Sequence, residues 1–241
     1  MGIIRRFFQL KETAVTITAD EKFIEVAKKG IIEAREIVER FITEDPFFLY
    51  TLEPYECPDN APSLIKRMCE ASYMVNVGPM ASVAGAIAQH ATEKMREKGA
   101  DYVVVDNGGD IAFYSPRKEL RVGIYTGNPL TNVFALLIPP GYPAGGICTS
   151  SGKVGPSISF GNADAVTILA KDAIIADAAA TALGNMIKRE ENLKNAFRIL
   201  EDVSGISGAL AIIGRKIALW GELPEIIKTK IPRNKITWRW F

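Results

Sequence analysis

The sequence predicts an α+β fold, a central and mostly antiparallel sheet with helices packed around it. Three observations carry this. Four short apolar runs between residues 102 and 138 are separated by Asn107-Gly108, Ser115-Pro116 and Gly127-Asn128-Pro129, the pattern of a meander. Long stripes of helical period lie on either side of that region. No Pro/Gly/Ser-rich linker divides the chain and no internal repeat is visible, so residues 1–241 read as one domain.

Taken in order, residues 3–10 and 12–18 are rich in β-branched and aromatic side chains and predict a hairpin. Thr18-Ala19-Asp20-Glu21 has the form of a capping box, with Thr18 as the cap. Behind it Ile24, Ala27, Ile31, Ala34, Val38 and Phe41 form one stripe of a long helix that ends at Glu44-Asp45-Pro46. Lys22, Lys28, Lys29 and Arg35 would be its solvated face. Residues 51–62 hold Pro54, Pro58 and Pro62 and read as loop. Ser63 can cap a helix reaching about Val75. Asn76-Val77-Gly78-Pro79 breaks it and starts another, since proline suits a first helical position; Gly99 would stop that second helix. Strands are expected over 102–106, 111–114, 120–125, 133–138, 146–149 and 165–169. An alanine-rich helix is expected over 173–186, a further helix near 189–202, and short strands near 209–219.

Composition excludes several function classes. The 29 basic and 28 acidic residues leave a net charge of +1, against the strong basic excess of nucleic-acid binders. Cys57, Cys69 and Cys148 form no CxxC and are odd in number, which fits free thiols in a reducing compartment and a cytoplasmic protein. The N-terminal apolar runs are too short for a secretory signal. The longest apolar stretch, Ala165 to Ile187, contains Lys171, Asp172 and Asp177, which argues against a bilayer span. Trp220, Trp238 and Trp240 read as core or interface; an exposed Trp238-Arg239-Trp240-Phe241 would be costly, which suggests docking on the chain itself or a homo-oligomer.

Four segments rich in small and polar residues can carry chemistry. Gly78 before a helix start leaves room for an anion near free N–H groups, or simply turns an αα-corner. Asp106-Asn107-Gly108-Gly109-Asp110 is a tight reversal with a carboxylate on each side; its amides could face a ligand and Asp110 could bond a hydroxyl. Cys148-Thr149-Ser150-Ser151-Gly152 could line an anion pocket. Cys148 there is either a buried structural thiol or, given a nearby cation, a nucleophile or sulfur carrier. Asp177 and Thr181 stand at i and i+4 of one helix face and offer two oxygens to a hard cation such as Mg²⁺. The alternative is that Thr181 bonds back to the carbonyl of residue 177, although an Asp within an apolar helix still needs a partner.

In this order the segments resemble the flavin-transferase (ApbE) superfamily, through Gly78-Pro79-Met80-Ala81, Gly108-Gly109-Asp110-Ile111, Thr149-Ser150-Ser151-Gly152 and Ala176-Asp177-Ala178-Ala179-Ala180-Thr181-Ala182. The resemblance implies an ApbE-like, T-fold-like sheet with FAD or FMN and Mg²⁺ as ligands, and FMN transfer to a hydroxyl or FAD hydrolysis as the reaction. It places Asp177, Thr181 and the Ala81 carbonyl on the metal, and Gly78, Gly108, Gly109, Asp110, Thr149 and Ser150 around the nucleotide. Ser82 stands where the family motif has a lysine, and no His-Ile-x-Asp-Pro segment follows Thr-Ser-Gly; Ser157-Ile158-Ser159 is found there, and the only histidine is His90. The Cys-Thr-Ser-Ser-Gly variant is similar to a short branch of the superfamily associated with sulfide assimilation into homocysteine. That association implies an alternative role as an accessory sulfur-transfer protein working through Cys148 with a protein partner. A non-catalytic flavin- or nucleotide-binding module is the third possibility.

Overall fold

A computed structural model describes residues 2–127, 134–152, 160–229 and 236–237. The expectations for Asn128-Pro129, Val133, Ser157-Ile158-Ser159, Trp238, Trp240 and Phe241 fall outside these residues.

Strands β1 (Ile3–Leu10) and β2 (Thr13–Asp20) pair antiparallel from Ile3↔Asp20 to Leu10↔Thr13. The expected capping box does not form. Thr18 continues β2, and Asp20 accepts from the Lys22 amide to cap a 3-10 turn over Glu21–Phe23, because strand pairing claims the Thr18 backbone first.

Helix α1 (Ile24–Glu44) buries Ile24, Ala27, Ile31, Ala34, Val38 and Phe41, the stripe read from the sequence. Arg35 corrects the solvated-face assignment: it is buried and bonded to Thr13, Glu12 (2.9 Å) and Glu39 (2.5 Å). Both terminal nitrogens of the guanidinium find partners, while its buried Nε has none among the described residues. A one-turn helix, α2 (Phe47–Tyr50), was not foreseen; its Phe48 packs edge-on against Phe41 and Tyr55. Helix α3 (Ser63–Met74) is preceded by Pro62 at the cap position, and Ser63, already helical, makes no capping bond. After Gly78 a 3-10 turn (Pro79–Ser82) leads into α4 (Val83–Glu97), and Gly99, at φ 86°, ends that stretch.

The chain then lays down β3 (Val103–Asn107), β4 (Asp110–Tyr114), β5 (Leu120–Ile124), β6 (Phe134–Ile138), β7 (Gly145–Ser150) and β8 (Ala165–Ala170). Helix α5 (Ala173–Met186) follows. The expected helix near 189–202 is instead two 3-10 turns flanking a single helical turn, α6 (Leu193–Ala196). The last strands are β9 (Ile206–Ile213), β10 (Lys216–Gly221) and β11 (Glu225–Lys228).

The main sheet has eight strands in the order β1-β2-β3-β4-β7-β8-β9-β10, all pairs antiparallel. The expected meander is therefore interrupted. Strand β4 pairs with β7, while β5 and β6 leave to form a second sheet, β11-β6-β5. Their apolar residues Leu120, Val122, Leu136 and Ile138 bury a face of the main sheet through Val104, Phe113, Ile147 and Leu169. The opposite face, with Val15, Ile17, Val105, Ala112 and Ile168, packs on the helices. Both faces of β8 are thus covered, and all six of its residues are buried.

Helix α5 lies against the sheet and α4 at backbone distance. A Cβ on Gly146 would stand 2.3 Å from the Ala173 backbone. Glycine at Gly146 on β7 and at Gly85 on α4 allows so close an approach to the start of α5. Among the described residues no helix is long and apolar enough to cross a membrane.

Candidate functional site

At one end of the main sheet the β3–β4 hairpin tip turns through Gly108 and Gly109, at φ 69° and 108°. Beside it lie the ends of β7, the Gly78 bend and the middle of α5. Together they border a cleft of about 1560 Å³ that wraps over the tip and reaches both faces of the sheet. That exceeds the roughly 300–1,000 Å³ usual for small-ligand sites. The cleft is lined by Gly78, Ala81, Asp177 and Thr181 on the helix side, by Gly108, Gly109 and Asp110 at the tip, and by Thr149 and Ser150 on β7. The four segments singled out in the sequence therefore meet in one place.

Asp177 has the partner that its apolar helix demands. Its Oδ2 accepts the Gly85 amide at 2.8 Å, and the Ala84 amide also bonds the carboxyl. Both donors belong to the first turn of α4, where helix amides have no partner within the helix. The anion at this helix start is thus a side chain of the protein. This revises the reading of the Gly78 bend as a phosphate cradle. Gly78 has an ordinary extended φ of −71°, and the room left by its missing side chain is taken by the chain: a Cβ there would stand 2.0 Å from the Thr51 carbonyl oxygen. The Gly85 amide, in an uninterrupted helix, would bond the Ala81 carbonyl four residues back; it serves Asp177.

Thr181, one turn further along α5, is half-buried, and among the described residues its hydroxyl makes no hydrogen bond, so the alternative of a bond back to residue 177 is not found. Asp110 begins β4 on the helix side, directly paired with Cys148. Burial drives Asp110 well above the usual carboxylate range, and the charges of Asp177 and Asp106 add to the shift. Burial pushes Asp177 up to about 7, opposed by the Gly85 and Ala84 amides. Two crowded carboxylates that resist ionisation beside a free hydroxyl form a site that a cation would relieve. Among the described residues no three His, Cys, Asp or Glu side chains converge, so any cation here is held by a mixed set of oxygens.

The hydroxyl segment is only partly available to a ligand. Thr149 Oγ1 lies 2.9 Å from Thr167 Oγ1, whereas among the described residues Ser150 has no side-chain hydrogen bond of that kind. Cys148 takes the bland course. It is fully buried on the helix face, its thiol donates to the Ala173 carbonyl at 3.3 Å, and it does not line the cleft. Burial, Asp110 and Asp177 all raise its pKa, the reverse of what activates a thiol. Ser82 is likewise buried, donating to the Pro79 carbonyl at 2.8 Å.

Two residues of the hairpin reversal, to which the sequence assigned no role of their own, also line the cleft. Asn107 donates from Nδ2 to the Ala84 carbonyl at 3.1 Å and ties the hairpin tip to α4. Asp106 leaves the opposite face of the sheet and also lines the cleft. The sequence signal was the alternation of a strand, which sends Asp106 and Asn107 to different faces.

The family profile described as "AbpE bacteria" matches residues 4–206. The UPF0280 protein of Methanothrix thermoacetophila is 50% identical over 237 residues, covering 98% of this chain and 99% of that protein. Its counterpart in Methanosarcina acetivorans is 48% identical, covering 97% and 93%. Among solved structures, the ApbE protein of Thermotoga maritima aligns with a TM-score of 0.66 at 15% identity, over 92% of this chain and 97% of that one. The flavin transferase ApbE of Vibrio cholerae aligns at 0.59 and 12%, over 92% and 97%. The last two likenesses carry the fold: a large antiparallel sheet with its helices. With a profile spanning most of its length and relatives near half identity over nearly all of it, this chain belongs to the ApbE-like family, in the branch of the UPF0280 proteins.

Proposed function

We propose that this protein binds a flavin nucleotide, FAD foremost, together with Mg²⁺ in the cleft at the hairpin tip, and cleaves the pyrophosphate to pass FMN to a hydroxyl acceptor or to water. The observation that carries the reading is the placement of the Asp177 carboxyl and the unbonded Thr181 hydroxyl in the same cleft as Asp110, Gly108 and Gly109. The flavin transferase named among the structural neighbours supplies the chemical class.

The donors fit a hard, oxygen-seeking cation. Asp177 and Thr181 would hold it, with the Ala81 carbonyl as third ligand, since the amide that would otherwise occupy that carbonyl serves Asp177. Bound there, Mg²⁺ would supply charge neutralisation at the pyrophosphate. The chain's own residues do the rest. The α4 amides fix the Asp177 carboxyl, so it would meet a cation without the cost of ordering a mobile side chain. Gly108 and Gly109 let the backbone come close to a ligand, because neither carries a Cβ. Burial holds the Asp110 carboxyl well above the usual carboxylate range, so it favours its protonated form more than an exposed Asp and can donate to a ligand oxygen in that form.

A second reading, flavin-nucleotide binding without turnover, draws support from buried Ser82 at the position of the family lysine. Incubation with FAD, Mg²⁺ and a threonine-bearing acceptor separates the two. Release of AMP supports cleavage; metal-dependent FAD binding without AMP supports the binding module. No FAD binding at any Mg²⁺ concentration overturns both. The sulfur-carrier alternative draws no support from the enclosed, un-ionised Cys148.

A further inference from the structure

The wall of the cleft on the side of the second sheet holds a hydroxyl from a distant part of the chain. Thr237 Oγ1 donates to Asp106 Oδ2 at 2.5 Å across 131 residues of sequence, and lies 2.8 Å from Thr16 Oγ1. Thr16 and Asp106 are directly opposed across β2 and β3, so both side chains leave the same face. The other oxygen of Asp106 is fixed by the Gly109 amide at 2.9 Å. Thr16, Asp106 and Thr237 all line the cleft.

This notch has a defined chemistry. A hydroxyl fills it, giving its proton to the Asp106 carboxyl and lying against the Thr16 hydroxyl, which can donate or accept. A ligand alcohol can take the same place with the same two partners. Thr237 satisfies the notch now, at the border of an open cleft where another hydroxyl could compete on equal terms. We propose that Thr16 and Asp106 form an alcohol-binding subsite, that Thr237 fills it in the ligand-free protein, and that a hydroxyl of a polyol-bearing ligand displaces Thr237 on binding.

The subsite lies on the opposite face of the hairpin tip from Asp177 and Asp110, so a ligand with phosphates at one end and a polyol at the other would straddle the tip. In that form the inference rests on the flavin-nucleotide reading; the notch itself does not. Thr237 then acts as a built-in competitor that lowers apparent affinity by the share of molecules in which it is docked.

The test uses the full chain and two probes. In the first arm ribitol is titrated while the Gly109 amide, which bonds Asp106, is followed by NMR. Thr237→Val should respond saturably at about tenfold lower ribitol than wild type, the order of one hydrogen bond removed from competition. Thr237→Ser should behave as wild type, and Asp106→Asn should abolish the response. Equal responses in Thr237→Val and wild type, or an undiminished response in Asp106→Asn, overturn the subsite. In the second arm FMN and ADP are titrated with Mg²⁺. A gain in Thr237→Val for FMN assigns the hydroxyl to the ribityl chain, and a gain for ADP assigns it to the ribose. If both bind and neither gains, the assignment of the subsite to a nucleotide hydroxyl is overturned while the flavin reading stands. If neither binds but ribitol behaves as expected, the flavin reading fails and the subsite stands.

Discussion

The Gly85 amide and the Asp177 carboxylate, 92 positions apart in the sequence, are joined by a hydrogen bond of 2.8 Å. This one contact caps α4 with a side chain of α5, and it holds the Asp177 carboxyl at the border of the cleft. Its two roles can be separated. Asp177→Asn keeps an acceptor for the amides but removes the charge. It should cost under about 1 kcal/mol of stability while abolishing any dependence of ligand binding on Mg²⁺. Asp177→Ala should lose both, with about 1–2 kcal/mol of destabilisation from the missing cap. Urea denaturation of the pair checks this; equal destabilisation would show that the cap does not hold α4.

Gly85→Ala should be far more damaging than its size suggests. The added Cβ would stand 2.1 Å from the Ala173 carbonyl oxygen and 2.8 Å from Asp177 Cβ, both on rigid elements. Overpacking of this kind typically costs about 1–3 kcal/mol, and the helices must separate at the Asp177 carboxyl. Thermal melting should show the loss, and ligand affinity should fall with it. A variant as stable as wild type would mean that α4 and α5 adjust freely.

The legibility of the site follows from the same contact. Periodicity exposed α1, alanine content exposed α5, and small-residue clusters exposed all four cleft segments, because those signals are local. What Asp177 bonds is not local: the Gly78 segment read as an anion site because its amides looked free, and only the packing of α5 on α4 fills them. Arg35 and Cys148 show the same division. Their positions on an apolar helix and strand were visible, while the Glu12, Glu39 and Thr13 partners of one and the enclosure of the other depend on the assembled sheet. The departure of β5 and β6 into a second sheet was unreadable for the same reason, since their runs alternate as any antiparallel strands do.

Cys148 should be inert in the folded protein. Under native conditions a thiol reagent should modify half-buried Cys57 well before buried Cys69 or Cys148. Mass spectrometry after a persulfide donor should show no sulfur added at Cys148. A persulfide there at stoichiometric yield would revive the sulfur-carrier role.

In chelator the pair Asp177 and Asp110 should make stability fall as pH rises. Unfolded Asp ionises near pH 3.9, whereas burial raises both carboxyls in the folded protein, Asp177 to about 7. The native state therefore holds protons that the unfolded chain releases. The favourable contribution is complete below about pH 4 and is lost as pH rises through about 7. The slope should reach at most about 1.4 kcal/mol per pH unit for each retained proton. Asp177→Asn should flatten it, and Mg²⁺ should stabilise wild type at pH 7.5 but not the variant. An unchanged slope in Asp177→Asn would remove Asp177 from the account.

The most direct measurement is a calorimetric titration of FAD into wild type, Asp177→Asn and Thr181→Val, each with Mg²⁺ and with chelator. Saturable binding by wild type that needs Mg²⁺ and weakens at least about tenfold in each variant is the expected result. Binding that ignores the metal, or survives intact in both variants, would contradict the assignment of these two side chains to a cation and a flavin nucleotide.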